Sequence, residues 1–288
     1  MKNISIAQVC YVRLGTSKLE ESARFASEII GLERVGGIDG EAAFRSDNMY
    51  HRICLTGGAP EDQCVGVELS NEADFDAAKE ALAAADLPVR EADSDECKRR
   101  HVRRALITRD ASGNEIDLVV RPAQSGRRYF PSRDAGIKGF QGVGLRTTSL
   151  AKDLQFWTEI LNARVCDRVG DITYLQIDDR HHRLALYPSK RKGILEVSLD
   201  VESFDCVMQG NYFMKDRQVK VLQGPGRETA SGQTFLRFEG PDGMMFSYVH
   251  GMEATGTRRP RQFNLSNESL CSWGSHCADV PEFSVSTT

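Results

Sequence analysis

The 288-residue sequence has no apolar run near the ~20 residues that a membrane-spanning helix requires. Its opening Met1-Lys2-Asn3-Ile4-Ser5 also lacks the apolar core of a secretory signal, and a cytoplasmic protein is expected. Strong charge of one sign is missing too. A net charge of -4 gives no general attraction to nucleic acid or to an anionic membrane. The one basic run, Lys98-Arg99-Arg100-His101-Val102-Arg103-Arg104, has no interleaved aromatic residue and reads as a solvated edge. The eight cysteines form no CxxC pair, so they are read as free thiols of a reducing compartment. Cys271, His276 and Cys277 lie close together but lack the spacing of a zinc knuckle. No GxxxxGK pattern surrounds Gly224-Pro225-Gly226, which reads as a turn and not as a phosphate loop.

What is present is an ordinary globular composition, 40% hydrophobic and 27% charged, in a chain long enough for two medium domains. Ser5 to Arg13 alternates as a strand. The following Ser17 to Gly31 keeps helical spacing, with Ser17 as N-cap and Gly31 as stop. Short strands are expected at 41–44 and 51–55, and Cys64 to Leu69 opens a second strand-helix unit with its helix over 75–84. Strands at 104–108 and 115–120 close that unit around the hairpin turn Asp110-Ala111-Ser112-Gly113-Asn114.

After a polar linker, Gln124 to Lys138, the pattern returns. Tyr11, Leu19, Phe25, Glu28 and Ile29 map without a gap onto Gly142, Leu150, Phe156, Glu159 and Ile160. A repeat of that length argues for duplicated domains, each made of two similar modules. The fold class expected is α+β: two tandem domains, each of two βαβββ modules in an open mixed β-barrel. The domains are an N-terminal one over 1–123, without a catalytic site, and a C-terminal one over 138–251 holding the pocket. A tail over 252–288 packs through Trp273 and Phe283, with its last residues frayed. In the second copy, strands are expected at 142–146, 172–177, 181–187, 194–199, 234–238 and 244–249, and helices over 150–161 and 201–208.

The fourfold module, the Phe156-Trp157-Thr158-Glu159-Ile160-Leu161 stretch, the Arg180-His181-His182 run and the Pro241-Asp242-Gly243 hairpin resemble the type I extradiol ring-cleavage dioxygenases of the vicinal oxygen chelate superfamily. The resemblance runs from about Ile4 to Gly251, and Arg-His-His is its most specific part. It implies a second domain whose Fe(II) or Mn(II) is held by two histidines and a glutamate, a facial triad with open positions. The three ligand positions fall on Gly142, Glu196 and Ser247, which leave one carboxylate and one hydroxyl. No cofactor is therefore expected. Fe(II) or Mn(II) belongs to the alternative in which the site is divergent.

The resemblance also implies that His182 is the acid/base beside the substrate. Strand alternation would set His182, Leu184 and Leu186 on one face, and Glu196 on the face of a later strand. If both faces line the pocket, Glu196 meets His182, raises its pKa and orients its ring. Gly142, Phe238, Ser247 and His181 complete the expected substrate pocket, with Gly142 and Gly144 widening it. The function expected is an enzyme of aromatic-compound catabolism acting on a catecholic or ring-derived small molecule by metal-independent acid/base chemistry. The alternatives are a metal-dependent extradiol dioxygenase and a non-catalytic small-molecule-binding protein. Neither nucleic acid nor membrane is expected as a partner, and self-association through sheet edges or tail is expected.

Overall fold

The computed structural model describes residues 4–36, 38–277 and 279–285. Among these residues the strands form two mixed sheets, one per repeat, with few helices. In the first sheet the central pair is Ile6–Thr16 and Gln63–Leu69, antiparallel. Ile53–Gly57 then Glu41–Arg45 and Glu33–Val35 extend it on one side, and Glu115–Pro122, Val102–Arg109 and Val89–Glu91 on the other. The second sheet repeats this order around Ile137–Thr147 and Gly193–Val201. Leu184–Pro188, Ile172–Gln176 and Arg164–Val169 lie on one side, and Met245–His250, Thr234–Glu239 and Val221–Arg227 on the other. The tail packs on the body and joins its sheet: Arg261–Phe263 and Trp273–Gly274 are the two edge strands. Phe283 is buried against Tyr187, whereas Trp273 stays largely exposed.

The main apolar cluster runs through both domains, from Ile4 to Tyr248. Polar contacts fasten the seam: Ile194 N donates to Gln63 Oε1 (2.6 Å), Gly193 N to Asn114 Oδ1 (2.7 Å) and Thr16 Oγ1 to Asp242 Oδ2 (2.5 Å). That explains one difference from the expected elements. Ser17 does not cap the first helix, because its hydroxyl donates across the seam to Asp242 (3.1 Å) and Lys18 flanks the helix start instead. This helix is α-helical over Leu19–Arg24 and widens to π-helical turns over Phe25–Ile30, closed by Gly31 at φ 92°.

The basic run is divided. A capping box of Asp93 and Glu96 starts a helix over Ser94–Arg100, and the strand Val102–Arg109 follows. Arg100 turns inward onto Asp117 (2.7 Å), so this run is no continuous surface. The helix expected over 201–208 is displaced to Phe204–Asp216, where the Ser203 side chain accepts from Cys206 N. His181 and His182 also lie outside the expected strand, which begins at Leu184. They sit in the preceding turn, where Asp178 Oδ1 accepts from Arg180 N (3.0 Å). No helix of the described residues is long and apolar enough to cross a membrane, and the eight cysteines are free thiols.

Candidate functional site

Register brings the three family ligand positions to the middle of the second sheet. Ser198 pairs with both Gly142 and Ser247, and Glu196 with Gly144 and Met245. Gly142, Gly144, Glu196 and Ser198 line one cavity together with His182, Tyr187, Glu228, Gln233 and Arg237. The glycines do not widen it. A Cβ on Gly142 would overlap the Arg183 carbonyl oxygen, and one on Gly144 would meet the Tyr187 ring at 2.8 Å. Neighbouring groups fill the space that the glycines leave, and the cavity measures only about 10 Å³, room for about one water.

The centre of this cavity is a cation that the sequence reading missed. Arg237 is 3% exposed; its Nε donates to Glu196 Oε1 (3.1 Å), its Nη1 to Gln223 Oε1 (2.8 Å), and its Nη2 lies 3.6 Å from Glu228 Oε1. The guanidinium also stacks over Phe235 (4.1 Å) and Phe283 (4.7 Å). Burial disfavours its charge, but Glu196, Tyr187, Glu228 and Tyr174 together outweigh that and keep it firmly protonated. Glu228 is held in turn by Ser231, Gln233 Nε2 (3.2 Å) and Tyr174 Oη (3.3 Å). The signal for Arg237 was available: it is a lone charge inside the apolar stretch Phe235-Leu236-Arg237-Phe238.

Glu196 therefore serves Arg237 and not His182, and no hydrogen bond joins Glu196 to His182 among the described residues. The expected rise in the His182 pKa is corrected as well. Burial, then the positive charges of His181 and Arg183, push it well below the usual histidine range. The partner of His182 is its neighbour: the two Nδ1 atoms lie 2.9 Å apart, and His181 Nε2 lies 2.8 Å from Asp167 Oδ2. Burial opposes charge on His181, but the hydrogen bond to Asp167, then that to Cys166, raises its pKa to about 9. At neutral pH His181 is thus an imidazolium donating from both nitrogens, and the tautomer of His182 follows from its accepting at Nδ1: its proton is on Nε2.

Asp167, fully buried, is anchored by Arg258 (3.0 Å) and Arg261 (2.7 Å) from the tail. Burial would raise its pKa, yet the hydrogen bonds from His181, Arg261 and Arg258 hold it below the usual carboxylate range. Sequence reasoning missed Asp167 because its strand, Arg164–Val169, was not recognised.

The other expected pocket residues scatter. Phe238 is not in the cavity but in the core, against Phe25, Phe246 and Tyr248. His181 is fully buried behind His182 and does not line the cavity. Ser247 is fully buried and donates to Ser198 Oγ (2.9 Å). In the first domain Tyr11, the counterpart of Gly142, donates to Asp117 Oδ2 (2.7 Å), which Arg100 neutralises.

As a donor set, Gly142, Glu196 and Ser247 do not fit Fe(II) or Mn(II). One position admits no side chain, one is a hydroxyl, and the single carboxylate already answers a guanidinium. Two other groups bring three donors within 4.8 Å of one another, Cys166–Asp167–His181 and Cys64–Glu115–Asp117. Each contains an aspartate paired with arginine.

The family model of the glyoxalase/bleomycin resistance protein/dioxygenase superfamily matches residues 139–248. The 3-methylcatechol 2,3-dioxygenase of Pseudomonas putida is 26% identical over 231 residues, 70% of this chain and 79% of that protein. A manganese-dependent 2,3-dihydroxybiphenyl 1,2-dioxygenase of Geobacillus genomosp. 3 is 28% identical over 141 residues, 46% of this chain and 43% of that one. Among solved structures, a halotolerant catechol dioxygenase superposes with a TM-score of 0.87 at 22% identity, over 97% of both chains. The expectation that this chain uses no cofactor is corrected by its relatives, which include a manganese-dependent dioxygenase and, among solved structures, a Mn(II)-bound glyoxalase of Novosphingobium aromaticivorans. Gly142, Glu196 and Ser247, on which the resemblance places the family's ligands, do not make a metal-binding donor set. Residues 139–248 are therefore a domain of the glyoxalase/bleomycin resistance protein/dioxygenase superfamily, and the whole chain has the two-domain extradiol dioxygenase fold.

Proposed function

We propose that this protein is an enzyme of aromatic-compound catabolism that acts on a catecholic or ring-derived small molecule in the barrel of the second domain, with His182 as its proton donor and acceptor. The observation that carries the reading is the chain Asp167–His181–His182, with contacts of 2.8 and 2.9 Å. His182 lines the cavity, and its Nε2 makes no hydrogen bond among the described residues. When Nε2 gives its proton to a ring oxygen or carbon, Nδ1 takes one from the His181 imidazolium, and Asp167 is left holding a neutral imidazole. The proton count balances, and the reverse shift restores the resting state. Positioned acid/base groups of this kind contribute roughly 100- to 10,000-fold.

Arg237 and Glu196 are assigned the polar end of the site, where the guanidinium offers charge to an anionic ring oxygen once a ligand opens the cavity. Glu228 and Gln233 belong to the loop that Glu253 fastens, its N–H donating to Ser231 O (2.9 Å). Opening at this loop admits the ring. Gly142 and Ser198 shape the wall. The near-filled cavity favours a second reading, a small-molecule-binding protein without turnover. The free thiols support a reducing, cytoplasmic setting, and self-association through sheet edges belongs to the same proposal.

The test is consumption of 3-methylcatechol, 2,3-dihydroxybiphenyl and 1,2-dihydroxynaphthalene, followed by ultraviolet absorbance with and without added Mn(II). Turnover of one of them, lowered about 100-fold or more by His182→Gln, is the expected result. Turnover undiminished in His182→Gln would remove His182 from the reaction. Saturable binding without turnover would establish the second reading.

A further inference from the structure

A second space suited to a ligand ring, with an apolar wall, lies outside the barrel. It is a cavity of about 280 Å³ at the seam of the two domains, close to the lower end of the size of small-molecule sites. Its first-domain wall is Leu14, Ala26, Ile53 and Leu55; Ile194 and Phe246 face them from the second. The internal repeat explains why it is open. Leu14, Phe25, Ile53 and Leu55 correspond without a gap to Leu145, Phe156, Leu184 and Leu186, so the frame is the same in both copies. Ala26 corresponds to Trp157. In the second copy that indole is fully buried in the core, with its Nε1 unpartnered; in the first, a methyl group stands in its place and the cavity lies beside it.

The mouth supplies the other half of a recognition site. Arg191 and Lys192 reach it, and among the described residues neither has a carboxylate within ion-pair distance; Lys192 Nζ donates to Gly113 O (3.0 Å). Arg146, also at the mouth, is already paired with Glu282 (2.7 Å). Two carboxylates stand at the rim: Asp242, turned to the hydroxyls of Thr16 (2.5 Å) and Ser17 (3.1 Å), and Glu61.

We propose that this interdomain cavity binds an aromatic carboxylate of one or two fused rings, the ring taking the volume that Trp157 fills in the second repeat and the carboxylate meeting Arg191 and Lys192. The site is separate from the barrel and does not depend on the reading given for it. An apolar wall with a few cations at one end is the ordinary make-up of a small-ligand site, and each exposed cation adds a modest, salt-sensitive increment.

Isothermal titration of the full chain with indole-3-carboxylate and 2-naphthoate tests this, with neutral indole as control. One saturable site per chain is expected. Ala26→Trp, which copies the second repeat, should weaken binding at least tenfold while the melting transition is retained; Ala26→Leu, a smaller filling, serves if the first variant does not fold. Replacing both Arg191 and Lys192 by Ala should weaken the acids about five-fold per charge and leave indole unchanged. The proposal is overturned if no acid saturates a site at millimolar concentration, or if a folded Ala26 variant binds like the wild type. It is equally overturned if the charge variant weakens indole as much as the acids.

Discussion

Replacing Arg237 by Met removes the cation and keeps most of the volume of its stem. Glu196 and Glu228, 4% and 2% exposed, are then left in the core without the guanidinium that lies 3.1 and 3.6 Å from them. Breaking a buried pair by deleting one partner costs about 3–5 kcal/mol, because the other charge stays desolvated. Gln223 Oε1 loses its donor too, at about 1 kcal/mol more. A loss of about 4–6 kcal/mol should therefore appear in urea unfolding as a lower midpoint at unchanged slope. The double variant Arg237→Met with Glu196→Gln should recover about 1–3 kcal/mol of that, since the two residues are in contact and their effects do not add. A single variant that loses under about 1 kcal/mol, or a double variant less stable than the single, would refute the claim that this cation is a paired keystone of the barrel.

Three further outcomes follow from the same geometry. His181, raised to about 9, contributes stability that is whole below its ordinary pKa of about 6.5 and is lost as pH rises through about 9; the gap between wild type and His181→Gln should shrink from pH 7 to pH 10, and a constant gap would contradict the assignment. Gly142→Ala should cost about 1–3 kcal/mol in urea unfolding, because its Cβ must displace the Arg183 backbone; a neutral effect would mean that a side chain fits there after all. Asp167→Asn should loosen the tail that Arg258 and Arg261 fasten, seen as faster proteolysis after residue 254 with the barrel intact, whereas an unchanged rate would show that other contacts hold it.

Much of the architecture was legible because duplication leaves a gapless register. Leu14, Phe25 and Leu55 occupy the same places as Leu145, Phe156 and Leu186, and both copies fold into equivalent sheets. The site was legible only as positions. Glu196 stood out as a carboxylate in an apolar strand, and Arg237 carries the same signal on the strand two places along in the sheet, but nothing local says that the two charges meet. His182 was read as a strand residue by alternation; the Asp178 turn lifts the histidine pair out of the strand and towards Asp167. The cavity's contraction could not be read at all, since it depends on the Arg183 backbone and the Tyr187 ring entering space that two glycines leave free. Ala26 against Trp157 is the opposite case: the difference is visible in the repeat itself, and only the structure shows what it leaves open.

The most direct measurement is nitrogen-15 NMR of the imidazoles, recorded against pH and during titration with 3-methylcatechol. A doubly protonated His181 that titrates near 9 is expected, with a neutral His182 carrying its proton on Nε2 whose signal shifts as the catechol binds. A His182 that titrates near its ordinary value of about 6.5, or one whose signal stays still while the catechol saturates the protein, would contradict it.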